Sequence, residues 1–275
     1  MLTSRTLALS MVVALSACAG TDGDLLRTRP DAGTPDGAGT PRPRPEVLAS
    51  WQIQLSGTLD TTVDVRVYVA DLETPPPIIR DLHDASRIVM CYFSAGSAES
   101  FRDDAARFPT ASLGQPLADY PDERWIDIRD PTVRAIMADR IANAASAGCD
   151  GIHPSGLGAF AADTGIAFTR ADQLDYDRWL AGAAHARGLS IGLVENDARL
   201  AEDLLADFDW TVAWSCIDAG CPSAAPFVSA HKAAFLVEYG DESRAATVCP
   251  SARSLGMSAV VKRTAALDAY RAGCP

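Results

Sequence analysis

From residue 47 onward, short apolar runs alternate with stripes of helical period. The runs at 65–70, 88–93, 124–128, 149–153, 190–194, 210–213, 234–238 and 258–261 are mostly apolar and rich in Val and Ile. Such runs suit strands buried on both faces of a parallel sheet. The helices between them carry their own start and stop signals. Asp130 stands before Pro131, a pairing that opens helices. Val133, Ile136, Met137, Ile141 and Ala144 then form one apolar stripe, and Gly148 stops it. Thr169 with Asp172 three residues on reads as a capping box, ahead of Trp179, Leu180, Ala183 and Ala184 and a stop at Gly188. Leu200, Leu204, Leu205 and Phe208 mark a further helix. Eight strands with helices between them over 47–275 predict a single α/β domain, a (β/α)8 TIM barrel. An open doubly wound sheet is the alternative, but no G-x-G-x-x-G follows the first strand.

The first 46 residues break this pattern. Arg5 followed by the apolar run 7–15, too short to span a bilayer, has the form of an export signal. Leu15-Ser16-Ala17-Cys18 resembles a bacterial lipobox. Residues 1–17 are therefore read as a lipoprotein signal peptide, and Cys18 as the lipidated first residue of the mature chain. An ordinary secretory signal cut elsewhere is the alternative. Ala19, in place of Asp, favours the outer membrane if the source is Gram-negative. Residues 19–46 hold five Pro, five Gly and few large apolar side chains, so 18–46 is expected to be a disordered tether.

Charge narrows the partners. The chain carries 24 Lys and Arg against 36 Asp and Glu, a net charge of −12, and 31 of those acids with 19 of those bases fall in 47–275. That balance argues against nucleic acid, whose phosphates need basic patches. It also leaves membrane contact to the lipid anchor. Of the seven cysteines, Cys18 is assigned to the lipid, which leaves six. Cys216 and Cys221, close together in a Gly/Pro-rich loop, are expected to pair, as are Cys249 and Cys274 near the end of the chain. Cys91 and Cys149 sit in strand candidates and are expected to be buried free thiols. Zinc at Cys216 and Cys221 would need two more ligands, and no histidine is suitably spaced. No metal, no cofactor and a monomeric chain are expected.

A TIM barrel builds its site at the C-terminal ends of its strands. Polar residues there are Asp71, Glu99, Arg102, Asp127, Arg129, His153, Glu195, Asn196, Asp197, Asp218, Glu238, Tyr239 and Lys262. A ring of carboxylates suits glycoside cleavage, in which one acid protonates the leaving oxygen and a second attacks or activates water. Trp51, Tyr92, Trp125 and Trp214 could stack on sugar faces. For each carboxylate the alternative is a cap or a solvated charge, and for each tryptophan it is core packing.

Several segments together resemble the glycoside hydrolase family 114 domain, of endo-α-1,4-polygalactosaminidase type. They are Trp51-Gln-Ile-Gln-Leu-Ser-Gly57, Cys91-Tyr-Phe-Ser-Ala-Gly-Ser97 with Glu99 and Arg102, Trp125-Ile-Asp-Ile-Arg129 and Gly148-Cys-Asp-Gly151. Ala184-His-x-Arg-Gly-Leu189, Phe208-Asp-Trp210, Cys216 with Cys221, and Val237-Glu-Tyr239 continue in the family's order. The resemblance implies a (β/α)8 barrel acting on galactosamine-containing polysaccharide at internal α-1,4 links. A polycationic substrate would suit an acidic domain.

The departures bear on the chemistry. Where the family usually has Glu-Pro-Asp-Asn, this chain has His153-Pro154-Ser155-Gly156. Where it usually has Asn-Glu-Gln before the cysteine, this chain has Ala213-Trp214-Ser215. The family's Leu-Lys-Asn falls at Leu193-Val194-Glu195-Asn196, without the lysine. The resemblance thus places Ser155 and Trp214 at the family's acid pair, and neither side chain exchanges a proton near neutral pH. Three functions follow: a degenerate member that binds amino-sugar polymer without cutting it, a hydrolase with a rearranged site, and a structural envelope lipoprotein. The rearranged site would draw on Asp71, Asp127, Glu195 or Glu238, with His153 as a proton carrier. Trp51, Tyr92, Glu99, Arg102, Trp125, Arg129, Trp214 and Tyr239 are the candidate substrate contacts.

Overall fold

The computed structural model describes residues 42–195 and 197–274. The export signal, Cys18 and the tether up to residue 41 lie outside the described residues, as does Asn196. In chain order the strands are β1 (Trp51–Gln54), β2 (Val67–Asp71), β3 (Ile88–Ser94), β4 (Ser97–Glu99), β5 (Leu113–Pro116) and β6 (Glu123–Ile126). They continue as β7 (Gly151–Ser155), β8 (Ser190–Val194), β9 (Trp210–Trp214), β10 (Ala234–Tyr239), β11 (Ser258–Lys262) and β12 (Ala272–Gly273). The helices are α1 (Pro76–Asp84), α2 (Pro131–Ala147), α3 (Arg170–His185), α4 (Ala198–Leu204), α5 (Ala225–Ser229) and α6 (Glu242–Ser254).

The main sheet runs β1-β2-β3-β7-β8-β9-β10-β11-β12. The pairings from β1 through β11 are parallel, and β12 lies antiparallel on β11. At the remaining seam Trp51 on β1 donates its indole N–H to the carbonyl of Ser258 on β11 at 3.0 Å, so the barrel nearly closes. The α/β barrel expected from the sequence is thus present, but its strand membership differs. Residues 124–128 do not join the barrel: β6 is the middle strand of a separate three-stranded antiparallel sheet, β4-β6-β5, inserted between β3 and β7. The eighth parallel strand is β1, which carries Gln52 and Gln54 between its apolar residues. Both glutamines are buried. Gln52 accepts from Ile53 N at 3.1 Å, and Gln54 donates to the Ser56 and Thr58 carbonyls and accepts from Asp60 N. These bonds offset the cost of burying the Gln54 amide, while of Gln52 only the oxygen is bonded and its buried Nε2 is left without a partner among the described residues.

The period of two divides each barrel strand between two layers. Inside the barrel, Trp51, Ile53, Val67, Val69, Met90, Trp210, Val212, Phe235, Val237 and Val260 pack together, with Leu267 from the last loop. Outside it, Tyr68, Val89, Cys91, Phe93 and Ile152 meet Val133, Ile136, Met137 and Ile141 of α2 and Tyr176 and Leu180 of α3. The helix signals are as expected. Asp130 caps α2 by accepting from Thr132 N, Gly148 closes it at φ 95°, and Thr169 with Asp172 forms a complete capping box on α3.

Cys216–Cys221 and Cys249–Cys274 are disulfides. The expectation of free thiols at Cys91 and Cys149 is corrected: they form a third disulfide, with Cα atoms 5.9 Å apart. Each has the apolar neighbours of a core residue in its own strand. β3 and β7 are neighbours in the sheet, and Cys149, two residues before β7 begins, comes within disulfide reach of Cys91. Among the described residues no helix is long and apolar enough to cross a membrane.

Candidate functional site

A cavity of about 600 Å³ opens at the C-terminal ends of the barrel strands. Each barrel strand brings a residue at or just past its end: Leu55, Asp71, Tyr92 with Ser94, Ser155, Val194, Trp214, Tyr239, and the loop residues 265–267 after β11. The inserted sheet forms one wall with Ser97, Glu99, Leu117, Glu123 and Trp125, and its loops supply Phe101 and Tyr120. Phe101 is 64% and Tyr120 45% exposed at the mouth. A pair of glycines seats this wall. A Cβ on Gly96 would lie 2.2 Å from the carbonyl oxygen of Gly156, which itself sits at φ 78°. The amides of Ala95 and Gly96 both bond the Ser155 carbonyl, at 2.9 and 3.1 Å. Side chains at either glycine would push the insert away from the end of β7.

The carboxylates lining the cavity are Asp71, Glu99 and Glu123. Asp71 is held by Arg102 through bonds of 2.8 and 3.2 Å. Glu99 is buried between two guanidinium groups: it bonds Arg102 through both oxygens, and Arg140 Nη1 reaches it at 3.1 Å. Arg140 also bonds Asp104 at 2.8 Å and the Ser94 carbonyl at 2.8 Å. Burial disfavours the charge on Arg102, but its bonds to Asp71 and Glu99 outweigh burial and hold its pKa above the ordinary value. Burial likewise pushes Asp104 up, and the bonds from Arg140 bring it below the usual carboxylate range.

Glu123 differs. It accepts from the Ser97 hydroxyl at 2.5 Å, and the Ser97 and Ser94 hydroxyls are themselves 2.5 Å apart. No ion pair involves Glu123 among the described residues. Burial raises its pKa and the nearby Glu99 raises it further, against the lowering effect of the Ser97 bond. Glu123 is absent from the strand-end candidates because it lies on the insert rather than at a barrel-strand end. Its place two residues before Trp125, on the same face of one strand, is the signal that could have found it.

On the opposite side the wall is neutral. Ser155 donates to the Tyr92 hydroxyl at 3.1 Å, and Trp214 lines the same cavity from the end of β9. His153 lies one layer below Ser155, fully buried among Tyr92, Trp210 and Trp214, with ring centroids 5.9, 5.6 and 6.5 Å away. Burial lowers its pKa to about 3, so at neutral pH it is an uncharged core imidazole. Burial also raises the pKa of Tyr92, and that of Tyr239 to about 12.

The structure brings together Asp71, Tyr92, Glu99, Trp125, Ser155, Trp214 and Tyr239 at the cavity, with Arg102 directly behind Asp71 and Glu99. It places the other sequence candidates elsewhere. Trp51 is a core residue packed on Phe235 at 4.8 Å, at the start of its strand rather than the end. Glu238 alternates with Tyr239 and so faces outward, where it accepts from Ile217 N at 2.9 Å and meets Arg244 at 3.4 Å. Asp127 and Arg129 pair with each other at 2.9 Å, which lowers the Asp127 pKa. A Glu195 oxygen lies where a Cβ on Gly158 would come within 2.0 Å, and Glu195 also accepts from Asp197 N at 3.3 Å. Asp218 pairs with Arg244, and buried Lys262, its pKa lowered by burial to about 8, donates to the Asp268 carbonyl at 2.6 Å. Among the described residues no group of three His, Cys, Asp or Glu side chains could hold a metal ion.

Comparison with solved structures gives the same architecture. Aspergillus fumigatus Ega3 in complex with galactosamine superposes with a TM-score of 0.80 at 34% identity, covering 86% of this chain and 99% of that one. The glycoside hydrolase domain of PelA from Pseudomonas aeruginosa superposes with a TM-score of 0.66 at 14% identity, covering 82% and 98%. No curated protein sequence matches. A sequence model of glycoside-hydrolase family GH114 matches residues 32–275. Taken with the barrel and its carboxylate- and aromatic-lined mouth, that match makes this chain a member of glycoside hydrolase family 114, a family of glycan-acting proteins.

Proposed function

We propose that this barrel binds an amino-sugar polymer of galactosamine type in the cavity at its mouth, and holds the chain without cleaving it. One observation carries the reading. The strand ends that the family resemblance matches to an acid pair bear Ser155 and Trp214, and both side chains line the cavity. A hydroxyl and an indole offer no proton donor and no anionic nucleophile near neutral pH. Asp71 and Glu99 do not readily replace them, because both are bonded to Arg102. What the cavity retains is the equipment of a binding site: aromatic faces at Trp125, Trp214, Tyr120 and Phe101, and negative charge that suits a cationic glycan. The galactosamine bound to Ega3, a relative 34% identical, supports that ligand class.

Calorimetry with galactosamine oligomers, run beside a reducing-end assay on the polymer, tests the proposal. Binding with no release of reducing ends is expected. A second reading, hydrolysis by a relocated pair, is favoured by Glu123, a cavity carboxyl raised above the usual range by burial. It predicts turnover that disappears in Glu123→Gln and in Asp71→Asn while both variants remain folded. Lipid anchoring at Cys18 in a cell envelope belongs to the same proposal. Metabolic labelling with an alkyne fatty acid should mark the wild type and not Cys18→Ala, and label retained in that variant would refute the anchor.

A further inference from the structure

A second cavity, of about 80 Å³, lies at the end of the barrel opposite the mouth. It sits at the seam between β1 and β11, where Trp51 and Ser258, the first residues of those strands, line it with Leu48, Ser50, Arg253 and Arg271. No Asp or Glu lines it, although acids outnumber bases 31 to 19 over 47–275. Arg271 donates its Nε–H to the Trp51 carbonyl at 3.1 Å, and its remaining N–H groups have no acceptor among the described residues. Burial lowers its pKa, as expected of a cation drawn partly out of water without a counter-charge. A guanidinium with unused donors on a cavity wall is a receptor for an oxyanion, and a cavity this small suits a single phosphate group. The rim is apolar. Among the described residues the exposed large apolar side chains are Val47, Leu48, Phe101, Tyr120 and Leu255. Phe101 and Tyr120 stand at the mouth. The other three gather here: Leu48 lines the cavity, Val47 precedes it, and Leu255 follows Arg253 at the end of α6. Leu48 is 50% exposed at φ 59°, a backbone conformation that costs a non-glycine residue energy and brings it no burial.

We infer that this cavity binds the phosphate of a phospholipid headgroup, with Arg271 and Arg253 on the phosphate and Val47, Leu48 and Leu255 against the surrounding lipid. The barrel then docks on a bilayer by the end opposite its mouth, which leaves the mouth open to a polymer. Two observations favour a lipid over free phosphate. One is the aliphatic rim. The other is the path of the chain: the described residues begin at 42, and the chain meets the barrel at this same end, where Arg44 pairs with Asp209 just ahead of β9 at 2.9 Å. The choice of a lipid also rests on the proposed anchoring at Cys18, which would hold the barrel beside a membrane. A net charge of −12 disfavours a strongly anionic surface, so the fitting headgroup is zwitterionic, of phosphatidylethanolamine type.

The test sediments the full chain with vesicles of phosphatidylethanolamine and phosphatidylcholine. Every protein in it carries Cys18→Ala, so that no acyl chain ties it to the bilayer. Adding Arg271→Met should weaken partition on the order of tenfold, the scale of one hydrogen bond to a charged group. Arg271 also holds the Trp51 carbonyl, so a thermal melt checks that this variant folds. A second variant avoids that bond: Val47→Ser with Leu255→Ser changes two exposed side chains and should weaken partition severalfold through lost apolar contact. In a separate arm, inorganic phosphate titrated by calorimetry should bind in an Arg271-dependent way. Vesicle partition left unchanged by both variants overturns the inference. Arg271-dependent binding of inorganic phosphate without partition onto vesicles overturns the lipid as occupant and makes free phosphate the ligand. Binding of neither probe removes the site altogether. Fatty-acid labelling at Cys18 is read in its own experiment, so failure of the anchor and failure of this site are told apart.

Discussion

The two halves of the cavity wall are built on different principles. On the β2–β3 side and its insert, the wall is ionic: Asp71, Glu99, Arg102, Arg140 and Asp104 form one continuous network, mostly withdrawn from water. On the β7–β9 side it is neutral: Ser155, Trp214 and, beneath them, an uncharged His153. The ionic half is fixed by partners on several elements and contains the residues that carry much of the family resemblance. The neutral half contains the departures. A barrel can keep the frame of a site while its chemistry changes, because the frame is held by buried charge pairs whose loss is costly. The half-buried ends of β7 and β9 bear Ser155 and Trp214, and Ser155 makes a neutral bond to Tyr92 in place of such a charge pair.

Four measurements bear on that contrast. Arg102→Met should give the largest effect, since it leaves Glu99 and Asp71 short of a cation in a buried setting. Denaturant unfolding should show a loss of about 3–5 kcal/mol, and a loss under 1 kcal/mol would mean that the network is not what holds this half. Next comes Cys91–Cys149, which ties β3 to β7 where the two halves meet. Its Cys→Ala double variant should cost about 4 kcal/mol, the loop-entropy scale for a closed loop of this length. Removing Cys216–Cys221, whose sequence separation is 5 against 58, should cost only about half as much. Equal losses would point away from loop closure.

The third measurement concerns pH. His153 has a folded-state pKa near 3, lowered by burial from an ordinary 6.5. Between those values the unfolded chain binds the extra proton, so stability is full above the unfolded value and falls as pH drops towards 3. The slope from this residue is at most about 1.4 kcal/mol per pH unit. His153→Phe should flatten it, and an unchanged slope in urea titrations at several pH values would show that other groups govern acid unfolding. The smallest effect should be that of Trp214→Ala on ligand affinity, roughly tenfold from one lost aromatic face. Oligomer affinity unaltered by this change would remove the neutral half from the binding site.

Much of the fold was legible in the sequence because burial on both faces leaves a plain apolar mark. β3, β8 and β10 fall within a residue or two of their expected bounds. β1 was not legible as a strand, since Gln52 and Gln54 look solvent-facing until their bonds to nearby backbone are seen. β6 was legible as a strand but not as part of an antiparallel insert, because Trp125 and Ile126 carry the same apolar mark in either setting. At the site, Asp71, Tyr92, Trp125, Trp214 and Tyr239 were found from strand ends and motif. Glu238 satisfied the same rule and faces outward, because a strand end says nothing about which face its side chains take, and Asp127 lies elsewhere because its strand belongs to the insert and not to the barrel. The Cys91–Cys149 pairing was hidden for a similar reason: adjacency of β3 and β7 is a fact of topology, and 58 residues separate the two cysteines.

The central claim is that the ionic half holds a glycan and the neutral half has lost the means to cut it. The most direct test incubates wild-type protein with a galactosamine polymer and follows bound ligand and new reducing ends in the same sample. The account predicts saturable binding with reducing ends at the level of the protein-free control. Reducing ends that accumulate with time, and cease to do so in Glu123→Gln or Asp71→Asn, would contradict it.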